Sequence, residues 1–464
     1  MKTIQGRFQA PVLMGAALWM LAFAAGASAQ NQSFNNNTWP YATTVGSPVL
    51  AVVGDVACQP GEEETGEKAG ENCAGDAAQN LYASQAATAN QIKNMKPAGV
   101  ALLGDEQYQV GQYSDFESSY DLTYGAFKFI TRPAPGNHEF YTEHGAIGVA
   151  GYGYFSYFNG VQQITTTSST AGGIVTPAGS AVMATVSGNP DTGGTFTQPV
   201  PNSDGQAGHF DQTGGLGTAV YANGPAAGTT APVGVGNGWY SYNLGSWHLI
   251  SLNIECETQP GGCSNSGSWF AAETEWLKND LAANHSFCTL AYWHQPTFSA
   301  ADSLTEEGIT AGTWWQLLYD AGADLVLNGH DHLYARYAPV KPYFVSSDTS
   351  VAGVTGTWLG TPDPQNGIRE FIVGTGGETL DTVDATPTST TDYDAIFNQQ
   401  NLQAATGEFW GVMILTLNPN GYAWDYESAL KDPAQTTGPS SYSDKGVATC
   451  HGGPNGFASL PSPF

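Results

Sequence analysis

The segment Gly99–Tyr108, GVALLGDEQY, decides how this chain is read. Five small or apolar residues without a polar break form a short buried strand, and they run directly into Gly-Asp. The same grammar occurs upstream, where Pro48–Val53 is an apolar run ending at Gly54 and Asp55. Between the two runs, Ala77–Met95 carries a helical pattern. Downstream, Ser114–Phe129 reads as a helix with Ser114 as N-cap. Trp239–Gly245 and Trp247–Asn253 read as strands paired around a turn, and Ser268–Ala283 as a helix. A buried strand at Phe287–Trp293, a helix at Thr310–Ala321 and a strand at Asp324–Leu327 close the alternating series. Phe371–Val373, Phe409–Leu417 and Gly421–Tyr426 follow as strands with no helix expected between them. Strands alternating with helices, then a run of strands, predict an α/β fold of the two-sheet α/β sandwich kind.

The composition narrows the class. Of 464 residues, 41 are Asp or Glu and 13 are Lys or Arg, a net charge of −28. Charged residues make up only 12%, against about 25% in an ordinary soluble domain, so the imbalance comes from missing bases. Such a chain is not built to neutralise nucleic-acid phosphates or anionic lipid. With 41% hydrophobic and 12% aromatic residues it is not a disordered polyanion either. At the N-terminus Lys2 and Arg7 precede the apolar stretch Pro11–Ala25 and the small residues Ala27, Ser28 and Ala29. This pattern predicts a signal peptide over residues 1–29, cleaved before Gln30, and a secreted protein without a membrane anchor. Residues 30–464 would then form the mature domain.

Six cysteines agree with export. The preferred pairing is Cys58–Cys73, Cys256–Cys263 and Cys288–Cys450, and no pair has the CxxC spacing of a zinc knuckle or redox motif. Between Val161 and Gly238, 54 of 78 residues are Gly, Ala, Ser, Thr, Pro or Asn, which is too poor in core formers and too long for an ordinary loop. It reads as an insertion, either a solvated spacer or a lid or surface-binding module beside the site.

The chemistry collects where strands end. The exits present Asp55, then Asp105 with Tyr108, then Asn137 with His138 in Gly-Asn-His-Glu, then His294, then His330 and His332 in Gly-His-Asp-His. In open α/β sheets, sites form beyond the carboxyl ends of strands. Carboxylates, imidazoles and a phenol together suit iron, zinc or manganese. In four of the five exits a Gly precedes the first polar residue, letting the chain turn tightly there. Any one of these motifs is an ordinary turn; five in order at strand ends are a ligand set.

That ordered set resembles the calcineurin-like metallophosphoesterases and, within them, the purple acid phosphatases. Where most of the superfamily has Asp-x-His first, this chain has Asp55-Val56-Ala57, and Gly104-Asp105-Glu106-Gln107-Tyr108 supplies a tyrosine instead. The resemblance implies that Asp55, Tyr108 and His332 hold a ferric ion, that Asn137, His294 and His330 hold a divalent ion (iron, zinc or manganese), and that Asp105 bridges both. It implies that His138 contacts phosphate or protonates the leaving oxygen. Two such ions about 3.5–4 Å apart clamp a phosphate and activate hydroxide. The expectation is a secreted acid phosphatase that hydrolyses phosphate monoesters, with small phosphoesters as its partners, by attack of a metal-bound hydroxide. The alternatives are a phosphodiesterase or nucleotide hydrolase using the same site, or a non-catalytic surface-binding protein with a structural metal site. Two departures from bacterial relatives, Gln295 after His294 and Tyr334-Ala335-Arg336 after the last motif, lie outside the ligand set.

Overall fold

Strands β1 (Val49–Val53) and β2 (Gly99–Leu103) are parallel neighbours, with Val52 opposite Ala101 and Val53 opposite Leu102. They occupy the middle of one sheet of a two-sheet sandwich, as the apolar runs predict. In the computed structural model, residues 47–60, 81–141, 151–159, 166–167, 173–174, 238–257, 262–263, 268–301, 305–346, 356–386 and 393–452 are described. The chain divides into Met1–Ser33 and Phe34–Phe464, and every described residue lies in the second unit. The expected signal peptide and Cys73 lie outside the described residues, as does all of the insertion but Gly238 and two short strands, β4 (Thr166–Thr167) and β5 (Gly173–Ile174). Among the described residues no helix is long and apolar enough to cross a membrane.

The first sheet has the order β17-β16-β15-β1-β2-β3, adding β3 (Thr131–Ala134), β15 (Phe409–Asn418), β16 (Gly421–Lys431) and β17 (Ser443–Thr449). The second has the order β14-β10-β13-β9-β8-β7-β6. Its members are β6 (Tyr240–Leu244), β7 (Trp247–Ser251), β8 (Cys288–Tyr292), β9 (Leu325–Asn328), β10 (Tyr334–Tyr337), β13 (Arg369–Val373) and β14 (Leu402–Thr406). A hairpin of β11 (Val340–Val345) and β12 (Thr357–Pro362) stands apart. Along each central strand alternate side chains face opposite ways. Leu50 and Val52 of β1 meet Leu249, Leu290, Leu325 and Phe371 of the second sheet in the core between the sheets. Ala51 and Val53 face outward with Ala89 and Ile92 of helix α1 (Leu81–Met95). Across the second sheet, Ile250, Ala291 and Val326 pack on Phe270 and Leu277 of α6 (Trp269–Ala283) and on Trp314 and Trp315 of α7 (Glu306–Ala321). Each large side chain removed from water in these layers contributes about 1.5–3 kcal/mol.

Several expectations need correction. The helix expected over Ser114–Phe129 is broken into α2 (Tyr113–Asp115), a π-helical turn at Phe116–Tyr120, α3 (Asp121–Thr123) and a 3-10 stretch at Tyr124–Ile130. Ser114 lies inside the first piece, so it is not an N-cap. Phe116, Tyr120 and Tyr124 are all fully buried. Side chains spaced by four drift about 40° per step around a 3.6-residue helix, and the π-helical turn lies within this row. Strand β3, preceding Gly-Asn-His-Glu, went unread because Pro133 interrupts it; the proline is tolerated because β3 is the sheet edge. Helix α7 begins four residues earlier than expected, with the Thr305 hydroxyl accepting from Gly308 N at 3.0 Å. Helix α5 (Tyr152–Asn159) precedes the insertion, and α8 (Tyr393–Asn401) does interrupt the late strands.

The sheets are tied at one edge by charge as well as by apolar contact. Asp444 of β17 accepts from Arg336 Nε of β10 at 2.6 Å and Arg336 Nη2 at 3.1 Å, and from the Tyr334 hydroxyl at 2.7 Å and Trp424 Nε1 at 3.1 Å. Beyond the other end of β17, Cys288 and Cys450 form a disulfide joining β8 to the segment that follows the strand, and Cys256 pairs with Cys263, as expected. Burial opposes the Asp444 charge, but the hydrogen bonds from Arg336 and Tyr334 outweigh it and hold the carboxyl below its usual range. The folded-state value is depressed, so this contribution is present above about pH 4 and is lost as pH falls through the folded value. Asp444→Asn should therefore cost about 1–3 kcal/mol at pH 6, measured by denaturant unfolding, and markedly less at pH 2. Equal losses at both values would refute the clasp.

Candidate metal centre

Three of the five exits are turned toward one cleft by unusual backbone geometry. Asp55 and Asp105, following β1 and β2, and His330, following β9, all take positive φ (59°, 49° and 69°). This left-handed region is open to few non-glycine residues, Asp and His among them. Such conformations persist where surrounding structure over-determines them, characteristically at functional sites. Here the surroundings are hydrogen bonds that extend past the strands: Asp55 N to Gly104 O at 3.0 Å, Val56 N to Asp105 O at 2.8 Å, and Gly329 N to His294 O at 3.1 Å. Gly104 has φ 90°, and a Cβ there would lie 2.5 Å from His294 Nδ1.

The eight residues read from the sequence form one connected set. On one side, the Tyr108 hydroxyl lies 3.0 Å from Asp55 Oδ1 and 3.0 Å from His332 Nε2, while His332 Nε2 is 3.3 Å from Asp55 Oδ1. On the other, His294 Nε2 is 2.9 Å from Asn137 Oδ1 and 3.3 Å from His330 Nδ1. Asp105 joins them, its Oδ2 being 3.1 Å from the Tyr108 hydroxyl and 3.1 Å from His294 Nε2. Asp105, His294 and His330 each offer one donor atom, and these lie within 4.8 Å of one another. His138 borders the cleft, with Nε2 3.8 Å from Asp105 Oδ2 and its ring 4.3 Å from that of Tyr108.

Proton placement shows what such a cluster accepts. His294 Nδ1 is 2.8 Å from Leu103 O, and His332 Nδ1 is 2.7 Å from Thr379 O. A carbonyl only accepts, so both Nδ1 atoms carry hydrogen, and in the neutral rings the Nε2 lone pairs face inward. This is the orientation that outer hydrogen bonds impose on metal-binding histidines. Burial disfavours a charged His294, yet Asp105 pushes it up to about 10; burial and His294 together push His330 down to about 3. Burial, then Asp105 and Asp55, push the Tyr108 phenol far up, so only a strong positive charge would yield its phenolate. Once those protons are displaced, the inward Nε2 atoms and a phenol between two carboxylates are a donor set that fits metal cations.

Sequence reading missed the residues that brace this set. Glu139 accepts from Gly136 N at 2.9 Å, Asp105 N at 3.0 Å and Gln107 N at 3.0 Å, fastening the β2 exit to the short helix α4 (Asn137–Phe140). Burial and Asp105 push its carboxyl up to about 8 despite those donors. Its place in Gly-Asn-His-Glu was the available signal. Asp381, accepting from His332 N at 2.8 Å, had none, being far away in sequence. A Cβ at Gly136 would lie 2.2 Å from Asp105 Oδ1 and 2.4 Å from Asp105 N. Gly136→Ala should thus abolish binding of both metal equivalents while circular dichroism stays native; full metal content in that variant would overturn this account of Gly136.

No family model matches the chain. Over 109 residues it is 33% identical to purple acid phosphatase 15 of Arabidopsis thaliana, covering 23% of this chain and 19% of that protein. It is 29% identical over 176 residues to an uncharacterized protein of Mycobacterium tuberculosis, covering 36% of this chain and 31% of that one. The chain thus spans about a fifth to a third of the length of these curated relatives. The purple acid phosphatase PPD1 of yellow lupin (Lupinus luteus) seeds is a structural neighbour at TM-score 0.42 and 16% identity, over 87% of this chain and 55% of that one. In its ordered motifs and in the matched stretch of sequence, the chain is similar to the purple acid phosphatases among the calcineurin-like metallophosphoesterases.

Proposed function

We propose that this protein is a binuclear-metal phosphoesterase acting on small phosphate monoesters. The observation that carries the reading is that one Asp105 oxygen lies 3.1 Å from both the Tyr108 hydroxyl and His294 Nε2. In this reading Asp55, Tyr108 and His332 would hold a ferric ion, Asn137, His294 and His330 a divalent one, and Asp105 would serve both. When bound, two such ions would draw phosphate oxygens, make water acidic and offset charge on the leaving oxygen. The chain's own groups do the rest. Asp105 is held in register by Glu139 and by His138 N, which donates to its Oδ1 at 2.9 Å. His138 Nδ1 lies 2.6 Å from Gln109 O, so it donates there and Nε2 is left facing the cleft. A proton on that Nε2 is positioned for delivery to a departing alkoxide. No Lys or Arg occurs between Arg132 and Lys278, so that segment, which carries His138, offers a phosphate no basic side chain. The expected signal peptide and the two disulfides support secretion.

General acid catalysis contributes roughly 10²–10⁴-fold. His138→Ala should lower kcat for p-nitrophenyl phosphate by that order while two metal equivalents remain bound; undiminished turnover would remove His138 from the mechanism. Faster turnover of bis(p-nitrophenyl) phosphate than of the monoester would replace the monoester reading with a phosphodiesterase. The purified protein should contain iron and show a visible tyrosinate-to-iron band that disappears in Tyr108→Phe. An active but iron-free, colourless protein would defeat the ferric assignment. The sparse Lys and Arg leave little like-charge repulsion once carboxylates protonate, so activity should peak in acid; an optimum above neutral pH would contradict this.

A further inference from the structure

We propose that Tyr141, which no motif singles out, is a positioning residue that fixes which end of the Asn137 amide faces the metal centre. The inference rests on the reading of Asn137 as a ligand to the divalent ion. An asparagine amide is nearly symmetric in shape but not in chemistry: its oxygen offers lone pairs, its NH2 only hydrogens. Asn137 Oδ1 lies 2.9 Å from His294 Nε2, on the inner side, and Nδ2 donates to the Tyr141 hydroxyl at 2.7 Å. Turned over, the amide would present hydrogens to the cation position and be no ligand.

The local fold sets this contact. Tyr141 is the C-cap of α4, and its N–H donates to Asn137 O at 3.1 Å, so the four-residue spacing brings hydroxyl and amide together. Its ring also lies edge-on to His138, with centroids 4.9 Å apart. Tyr141 is 39% exposed, so it is not there to fill the core, and removing its hydroxyl should leave the fold intact.

The test titrates Zn(II) into full-length protein loaded with iron at the Tyr108 side. Loss of a hydrogen bond to a ligand typically costs about 10–100-fold in metal affinity. Tyr141→Phe should weaken Zn(II) binding by that factor, with the tyrosinate-to-iron band unchanged and kcat restored by excess Zn(II). Tyr141→Leu should match Tyr141→Phe, because the hydroxyl and not the ring is responsible. Unchanged Zn(II) affinity in Tyr141→Phe, alongside loss in Asn137→Ala, would overturn the role of Tyr141 and leave the proposed function standing. A loss confined to Tyr141→Leu would assign the effect to ring packing against His138 and equally overturn it. Full Zn(II) binding by Asn137→Ala would defeat the ligand assignment itself.

Discussion

Two groups of donors meet on one carboxylate. Asp105 touches the Tyr108 hydroxyl and His294 through the same oxygen while its other oxygen accepts from His138 N. Displacing that side chain would disorganise both halves of the centre together. Concentrating buried carboxylates at one point is unfavourable unless each is hydrogen-bonded or neutralised. The chain answers with backbone donors: His330 N to Asp55 Oδ2 at 3.0 Å, and the three amides gathered by Glu139. Protons or metal ions supply the remaining positive charge.

The sandwich exists in a form that serves this arrangement. Asp55 and Asp105 leave the first sheet, while His294, His330 and His332 leave the second. The centre therefore straddles the joint between them. Gly54 N donates to Val373 O at 2.8 Å and Gly376 N to Gly54 O at 2.9 Å, fixing the end of β1 against the segment after β13. The close-packed inner faces of the two sheets hold the carboxylates of the first sheet against the histidines of the second. A core substitution that moved one sheet against the other would reach the centre without touching a donor.

Parallel strands β1, β2, β8 and β9 were legible because they are buried on both faces, so each appears as an unbroken apolar run. The edge elements were not. Strand β17, SDKGVAT, is half solvated, and β3 contains a proline. The broken helix after Tyr113 was illegible for another reason. Its aromatic row satisfies a helical pattern, while the breaks fall among rings buried against one another and against Tyr157 and Phe158, contacts that spacing cannot express.

The sequence by itself determined the kind and order of the donors: Gly-Asp, Gly-Asp-x-x-Tyr, Gly-Asn-His, His, Gly-His-x-His, four of the five placed where an apolar run stops. Residue type limits what a side chain can bind, and that limit survives any folding. Only the tertiary structure decided that Asp105 stands between the two groups, that His294 and His332 turn their Nε2 atoms inward, and that Asn137 presents its oxygen. Those orientations are set by Leu103 O, Thr379 O, Glu139 and Tyr141. Leu103 O and Thr379 O are backbone groups, present at every residue and so without a sequence signature. Glu139 and Tyr141 lie next to a motif, yet their roles become visible only when the chain is folded around them.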